Sequence, residues 1–430
     1  MITPTGPAPA ESIFTYGAPT LKFGDGAAEE IGYDLAQLGA RRALVITDPG
    51  VAATGLAERV AAQMAQFGVQ AAVFEGVRIE PTDQSMQLAI DWARQHGPWD
   101  AFVAVGGGSS IDTAKAVNLL LTNPGELIDY VNAPVGGGQA PINALHPLVA
   151  VPTTTGTGSE STTVCVLDVL AHRVKSGISH ARLRPTLAVV DPLLTLSQPA
   201  GVTASSGMDI LCHALESYTA RPYTAGARKQ PAQRVPYCGS NPVSDMWSER
   251  ALALLYSSFR LAVLHGEDLG ARRDMALAAT FAGLGFGNAG VHIPHANAYP
   301  IAGQAHGFHP DGYPEAAGLV PHGMAVALTA PESFRFTFEA APDRHLRAAR
   351  LLEPDVDTPS DASALLPDVV TRLMRDIGIP SGVAAVGFAD ADIDGLVEGT
   401  LKQQRLLATA PRDATPEDLA GIFRRSMSLW

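Results

Sequence analysis

Short apolar runs alternate with longer amphipathic segments over the first half of the chain. The apolar runs predict strands at residues 20–23, 42–47, 71–74, 100–105, 147–151 and 187–190. Between them, the periodic segments 27–38, 56–67 and 82–95 predict helices. Strands and helices that alternate in this way are typical of a parallel sheet covered by helices, so we predict an α/β domain over residues 1–196.

The pattern changes at residue 197, where long alanine- and leucine-rich segments begin and strand candidates become few. Residues 245–264, 271–284, 365–377 and 416–427 all have helical periodicity. Residues 221–242 are interrupted by prolines and glycines, which indicates a loop. We therefore predict a second, all-α domain over residues 197–430.

Composition narrows the class of ligand. The chain of 430 residues has 30 basic and 43 acidic residues and a net charge of −13, which argues against binding to nucleic acid or to anionic membranes. No apolar segment reaches the ~18 residues of a membrane span, and the N-terminus lacks the basic and apolar regions of a signal peptide. The three cysteines have no zinc-site or disulfide spacing, so we expect a cytoplasmic protein with small-molecule ligands.

A glycine-rich segment, Gly-Gly-Gly-Ser-Ser-Ile-Asp-Thr-Ala-Lys at residues 106–115, lies between a predicted strand and a predicted helix. Its glycines let a phosphate approach the backbone, and the first turn of the helix offers unpaired amides to the anion. The spacing is not that of the GxGxxG fingerprint, so a purely structural turn is the alternative.

Two further strand ends carry polar side chains that suit a nucleotide. Asp48 can accept hydrogen bonds from an adenosine ribose, which would favour NAD over NADP, although Asp-Pro-Gly is also an ordinary turn. Residues 153–160 place several hydroxyl groups at the end of another strand, where ligands of open α/β sheets bind.

Histidines are concentrated in the second half of the chain. Five of the twelve lie within residues 281–323, namely His292, His295, His306, His309 and His322. Upstream, Asp209 and His213 stand four residues apart and share one helical face, either as half of a metal site or as a local pair. His295 begins a helical segment and His322 lies in a Pro-His-Gly turn; three imidazoles and one carboxylate would suit Fe(II) or Zn(II). We expect the other three histidines not to bind a metal, and His306 and His309 to face solvent.

Taken together, residues 106–115, 152–160, 191–192, Asp209-x3-His213, His295 and Pro321-His322-Gly323 resemble the iron-containing alcohol dehydrogenase family. The resemblance implies a dehydroquinate synthase-like fold in which a dinucleotide-binding α/β domain and an all-α domain enclose NAD and a metal ion. It implies Asp209, His213, His295 and His322 as metal ligands, with iron preferred and zinc possible, and Lys175 as a residue that reaches the cofactor. The cofactor-binding residues that it implies are Asp48, Gly106, Gly107, Gly108, Ser109, Ser110, Asp112, Thr153, Thr154, Thr157 and Lys175.

Further segments resemble the branch of that family that passes a hydride from a hydroxy acid such as 4-hydroxybutyrate to an oxoacid such as 2-oxoglutarate. They are residues 212–218, 239–245, 286–292 and 399–401, together with Arg405 and residues 426–429. A hydroxy acid needs a cation for its carboxylate, and Arg405 is the first candidate, followed by Lys402. The resemblance also implies a homodimer.

The chain departs from this branch after His295, where Ala296, Asn297 and Ala298 replace a Gly-Met-Ser pattern. Tyr299 stands where many family members have a further histidine, so a proton relay there would have to work differently. We therefore predict that residues 296–299 choose the substrate. An ordinary NAD-dependent alcohol or aldehyde oxidoreductase is the alternative function, and an NAD-using, metal-dependent synthase or lyase is a weaker one.

Overall fold

The computed structural model describes residues 10–172, 174–305, 307–313 and 318–430. The strands are β1 Thr20–Phe23, β2 Arg42–Ile46, β3 Gln70–Phe74, β4 Ala101–Gly106, β5 Leu148–Pro152, β6 Val164–Val169, β7 Val174–Ser179 and β8 Leu187–Val190. The main sheet has six strands in the order β1-β8-β5-β4-β2-β3, and all of the neighbouring strands run parallel. The predicted parallel α/β sheet is thus confirmed.

Helices cover the sheet on both faces. Apolar residues of alternate strand positions pack into two separate clusters, one on each side, as expected for strands buried on both faces. The helices of this half are α1 Ile31–Gln37, α2 Pro49–Ala52, α3 Leu56–Gln66, α4 Asp83–His96, α5 Gly108–Thr122 and α6 Leu127–Tyr130.

The pairing of β4 with β5 positions the two candidate nucleotide loops. Gly106 at the end of β4 stands opposite Pro152 at the end of β5. Because the strands are parallel, both chains leave the sheet at the same edge, and the Thr153 amide donates a hydrogen bond of 3.1 Å to the carbonyl of Gly106. The glycine-rich turn and the threonine-rich turn therefore lie side by side.

An antiparallel hairpin that the sequence did not predict lies outside the main sheet. It consists of β6 and β7, paired from Val164 with Ser179 to Val169 with Val174. Asp168 and Lys175 form a pair across the two strands, and β7 has only two aliphatic residues, Val174 and Ile178, so it lacks the apolar run by which the strands of the main sheet were predicted.

Helices make up the chain after β8, with one large core that joins most of them. Within the described residues no single helix is long and apolar enough to cross a membrane; α9 and α10 pass that test only as a pair bent by 104°. The predicted boundary at residues 196–197 falls between β8 and α7 and stays a prediction. The helices are α7 Ala200–Thr219, α8 Pro242–Leu264, α9 Leu269–Ala289, α10 Ile293–Gln304, α11 His322–Ala327, α12 Ala330–Thr337, α13 Pro342–Leu352, α14 Leu365–Asp376, α15 Ile393–Leu401, α16 Gln404–Leu407 and α17 Pro416–Arg425.

Candidate functional site

One cavity of about 120 Å³, which we call the inner cavity, is lined by predicted site residues from both halves of the chain. The sheet half contributes the first turn of α5, the threonine-rich turn and the hairpin; the helical half contributes α7, α10, α11 and α16. The predicted residues that line it are Gly108, Ser109, Asp112, Thr157, Lys175, Asp209, His213, His295, Tyr299, His322 and Arg405. A larger cavity of about 910 Å³ shares only Lys175 and Tyr299 with that set.

Helix α7 presents Asp209 and His213 on one buried face, as the spacing of four residues predicts. His322 reaches the same point from the first position of α11, so residues 321–323 begin a helix instead of forming an isolated turn. Gly323 allows this approach, because a Cβ atom there would overlap the carbonyl oxygen of Ser205 and lie 2.8 Å from the Cβ of Asp209.

The side-chain nitrogens of three histidines converge on the Asp209 carboxylate. Asp209 Oδ1 lies 3.4 Å from His295 Nε2, 3.6 Å from His213 Nε2 and 3.8 Å from His322 Nε2. One donor atom each from Asp209, His295 and His322 lies within 4.8 Å of the other two, with His213 beside them. Asp209 Oδ1 and His295 Nε2 are buried without a hydrogen-bond partner among the described residues. Buried polar atoms are rarely left unpaired, so the donor set fits a metal ion.

Glu216 holds the other side of the His295 ring. Its Oε1 atom lies 2.5 Å from His295 Nδ1, and its Oε2 atom accepts the backbone N–H of His292 at 2.5 Å, so that one carboxylate also caps the start of α10. The side chain is fully buried. A carboxylate that binds Nδ1 fixes the tautomer with Nε2 free, which is the arrangement of a metal-binding histidine.

The electrostatics of this cluster favour positive charge. Burial lowers the pKa of His295, but the carboxylates of Glu216 and Asp209 outweigh burial and raise it to about 9. For His213 burial dominates and lowers the pKa to about 3, so this imidazole keeps its lone pair near neutral pH. The two buried carboxylates on either side of the His295 ring stabilise positive charge at that point, which a bound cation would also supply.

The glycine-rich turn and the threonine-rich turn pack against each other and form what we call the cradle. A Cβ atom at Gly108 would lie 2.8 Å from Thr157 Oγ1, and one at Gly107 would lie 3.0 Å from Thr154 Oγ1. Neither glycine has room for a side chain, so the turn presents bare backbone at the N-terminus of α5, which fits a phosphate group. Gly106 and Ser110, in the same turn, face each other, and a Cβ atom on Gly106 would overlap the hydroxyl of Ser110.

Asp48 caps α2, where its Oδ1 atom accepts the amides of Gly50 and Val51 at 3.0 and 3.1 Å. Its Oδ2 atom lies 3.4 Å from Ser110 Oγ, next to the cradle. The turn uses only Oδ1, so it does not exclude the predicted ribose role.

Asp112 and Lys115 connect α5 to the hairpin. Asp112 accepts the hydroxyl of Ser159 at 2.5 Å and the amide of Val166 at 2.9 Å, and the fully buried Lys115 donates to the carbonyl of Val164 at 2.7 Å. With both of its carboxylate oxygens bound in this way, Asp112 supports the loops around the cofactor cradle.

Lys175 enters the inner cavity from β7 and forms an ion pair with Glu80, with Asp168 at 3.9 Å. Burial lowers the pKa of this ammonium, but the two carboxylates outweigh burial and raise it. Glu80 has a positive φ of 54°, which is unusual for a residue with a side chain, and its amide donates to Ser109 Oγ at 3.2 Å. The Lys175–Glu80 pair thus joins the hairpin to the cofactor cradle.

Of residues 296–299, Tyr299 alone lines the inner cavity. The side-chain amide of Asn297 is bound between Thr329 and Thr400, at 3.2 and 3.1 Å, and points into the helix packing. Burial raises the pKa of Tyr299 to about 12, so its phenol stays protonated near neutral pH.

Arg405 lies at the far end of the inner cavity, with its guanidinium 4.7 Å from the ring centre of Tyr237. None of the ion pairs formed by the described residues includes Arg405. Lys402 lies outside the cavity, where it forms an exposed pair with Glu398 at 3.0 Å.

The remaining histidines differ in their surroundings. His292 is fully buried, with Nε2 3.0 Å from Thr219 Oγ1, and His309 is exposed as predicted. His306 lies outside the described residues.

Sequence reasoning missed Glu80, Glu216 and Tyr237. Glu216 had a signal, since it stands seven residues after Asp209 and so shares its helical face. Glu80 and Tyr237 lie in loops whose positions depend on tertiary contacts, and their sequence neighbours give no comparable signal.

Known proteins similar to this chain align with it over its whole length. The chain is 43% identical to "Hydroxyacid-oxoacid transhydrogenase, mitochondrial" of Bos taurus, over 100% of this chain and 93% of the relative. The protein of the same name from Homo sapiens is 42% identical over 100% of this chain and 92% of the relative. The expectation of a cytoplasmic protein is wrong, since these relatives are named mitochondrial. Unpaired cysteines indicate a reducing compartment without saying which one.

Solved structures agree in fold. A 1,3-propanediol oxidoreductase is 32% identical with a TM-score of 0.84, over 96% of this chain and 100% of that one. A sulfoacetaldehyde reductase from Bifidobacterium kashiwanohense, solved with NAD+, is 26% identical with a TM-score of 0.79, over 97% and 99%. Two family domains match, "Iron-containing alcohol dehydrogenase" over residues 18–192 and "Fe-containing alcohol dehydrogenase family, C-terminal" over residues 236–427. The chain belongs to the iron-containing alcohol dehydrogenase family.

Proposed function

We propose that this protein moves a hydride from a small hydroxy acid of the 4-hydroxybutyrate type to an oxoacid of the 2-oxoglutarate type, using a metal ion and NAD. The observation that carries the proposal is the inner cavity, where a phosphate cradle, a cluster of metal-binding side chains and a guanidinium without a carboxylate partner among the described residues line one space. The transhydrogenase relatives at 43% identity support the same reaction.

Asp209, His213, His295 and His322 would hold the metal ion, with iron as the ion that the family name favours. A divalent ion there supplies a Lewis acid that lowers the pKa of a hydroxyl group and polarises a carbonyl group. Glu216 orients the His295 ring towards that ion. Tyr299 keeps its proton near neutral pH and so donates a hydrogen bond to the substrate from its Oη atom.

The cradle of residues 106–110 and 153–157 would hold the NAD pyrophosphate, with Asp48 on the adenosine ribose and Lys175 near the nicotinamide end. NAD supplies the hydride carrier. The donor loses a hydride from carbon and a proton from its hydroxyl group, and the oxoacid gains both, so the overall reaction needs no further oxidant. We further propose that the active protein is a homodimer.

Arg405 would bind the substrate carboxylate. A guanidinium in a partly buried position binds a carboxylate strongly, because it donates two parallel hydrogen bonds and retains its charge. Removing it would leave the substrate charge without a partner, which is costly in a cavity.

One assay tests the reaction. The purified protein is incubated with 4-hydroxybutyrate, with and without 2-oxoglutarate, while NADH absorbance and 2-hydroxyglutarate are followed. We expect turnover that depends on the oxoacid and releases no free NADH. Steady NADH release without an oxoacid would instead identify an alcohol dehydrogenase.

Metal analysis tests the ligand set. We expect His295→Ala and His322→Ala each to lose most of the bound metal. His309 is an exposed histidine in the segment between α10 and α11, and we expect His309→Ala to retain the metal. Full metal retention in both of the first two variants would refute the ligand set.

A further inference from the structure

A second cavity lies beyond the end of the inner cavity. This outer cavity has a volume of about 440 Å³ and is lined mainly by the loop of residues 221–242. Val164, Tyr237 and Arg405 line both cavities, so they form the partition between them.

Tyr237 is held firmly in the partition. The residue after it, Cys238, donates its amide to the carbonyl of Asn288 at 2.9 Å, which anchors the loop to the end of α9. The Tyr237 ring packs against a small apolar cluster that includes Phe286, Val291 and Leu406. The ring therefore has a fixed position against which the Arg405 guanidinium stacks at 4.7 Å.

The outer cavity is lined by a residue with a buried hydroxyl group that could bind a ligand. Thr163 is 1% exposed and lines this cavity, and its hydroxyl has no hydrogen-bond partner among the described residues. Arg221 and Lys229 also line it, together with Glu11. Arg221 is paired with Asp413, so Lys229, which has no ion-pair partner among the described residues, is the cation left for an anionic group.

The two proposed substrates have one dimension in common. In 4-hydroxybutyrate and in 2-oxoglutarate alike, two methylene groups separate the reacting carbon from a carboxylate. One cation at a fixed distance from the metal cluster can therefore bind that carboxylate in both acids. A longer acid would have to push its carboxylate through the partition.

We propose that Tyr237, by fixing Arg405 and closing the inner cavity, sets the length of acid that this enzyme accepts, and that the outer cavity is an anion subsite reached only when the Tyr237 ring is absent. The inference rests on the proposed function and names the residue that determines its substrate length. Tyr237 acts on the substrate through Arg405 and through the space that its ring fills.

The test measures kcat/KM for ω-hydroxy acids of four and six carbons with 2-oxoglutarate as the acceptor, in the wild type and in Tyr237→Ala. An extra methylene in a closed pocket costs about tenfold or more in kcat/KM, so we expect a strong preference of the wild type for four carbons. In Tyr237→Ala we expect that preference to fall by about tenfold or more, with the six-carbon acid gaining.

Tyr223→Ala is the matched control, because Tyr223 lines only the outer cavity, where its ring lies 4.9 Å from that of Phe14. It removes an aromatic ring from the same loop without opening the partition, and we expect it to retain the wild-type preference. If Tyr237→Ala does not fold, Tyr237→Leu retains apolar contacts in the cluster while shortening the partition.

Each outcome decides something. A folded Tyr237 variant with the wild-type preference, or an equal change in Tyr223→Ala, overturns the inference and leaves the proposed function intact. If the wild type shows no oxoacid-dependent turnover with any hydroxy acid, the proposed function itself fails.

Discussion

Replacing Glu216 by glutamine tests whether a buried carboxylate positions a metal ligand. The change keeps the shape of the side chain but removes its charge. An amide oxygen can still accept from His295 Nδ1, whereas the amide nitrogen must then face the backbone N–H of His292, which Glu216 Oε2 now accepts at 2.5 Å.

The magnitude follows from these contacts. Loss of a carboxylate that orients a metal-binding histidine typically lowers metal affinity by about 10- to 100-fold, or about 1.4 to 2.8 kcal/mol. Leaving the His292 amide opposite another donor costs about 1 to 3 kcal/mol of unfolding free energy, since the site is fully buried. We therefore expect Glu216→Gln to bind metal at least tenfold more weakly and to unfold at lower urea concentration.

A chelator competition measures the affinity directly. The metal-loaded protein is titrated with a chromophoric chelator of known affinity, and metal content is read from absorbance without any activity assay. Thr219→Val is the matched control, because it removes a buried hydroxyl from the same helix, bound to His292 Nε2 at 3.0 Å, without touching a proposed ligand.

We expect Thr219→Val to lose stability but to retain wild-type metal affinity. If Glu216→Gln binds metal within about twofold of the wild type, or if the control loses as much affinity, then Glu216 serves only the packing of α7 against α10 and the reasoning is refuted.

Three other substitutions have outcomes that the structure specifies. Gly323→Ala forces α11 away from α7, so we expect a loss of about 1 to 3 kcal/mol in urea unfolding together with reduced metal content; normal metal content would contradict the close approach. A Cβ atom on Gly108 would lie 2.8 Å from Thr157 Oγ1 and push the two turns of the cradle apart, so we expect Gly108→Ala to bind NAD more weakly in a fluorescence titration and to keep the metal content of the wild type. Burial raises the pKa of Glu80, but the charge of Lys175 outweighs burial and lowers this pKa below the ordinary value of 4.5. The ion pair therefore stabilises the folded protein above pH 4.5, and this stabilisation is lost as the pH falls through the lowered pKa. We expect Glu80→Gln to show a smaller difference in unfolding free energy between pH 7 and pH 4 than the wild type, and an equal difference would contradict the assignment.

Local patterns predicted the six strands of the main sheet and most of the long helices, because the strands are apolar runs buried on both faces and the helices bury one periodic face. The β6–β7 hairpin escaped prediction, since β7 carries Lys175, which lines the inner cavity, and small polar residues where the other strands have an apolar run. The order of the strands also depends on contacts between distant segments, which a periodic pattern does not encode.

In the candidate site, too, local spacing predicted some relations between residues, and others depend on contacts between distant segments. Asp209 and His213 could be related from spacing alone, because one helix fixes both. That His295 and His322 reach the same carboxylate depends on how α10 and α11 pack against α7, and only the family resemblance indicated it in advance. Arg405 was suggested by the chemistry of an acid substrate, whereas its partner Tyr237 lies 168 positions earlier in an irregular loop and had no signal in the sequence.

The proposed metal ligands lie on three helices. Asp209 and His213 share α7, whereas His295 belongs to α10 and His322 to α11. A displacement of α10 or α11 by one ångström would change one ligand distance and leave the two on α7 unaltered. Metal affinity in this protein therefore depends on how closely α10 and α11 pack against α7. A substitution in either of those two contacts would lower metal affinity under conditions in which the chain is still folded.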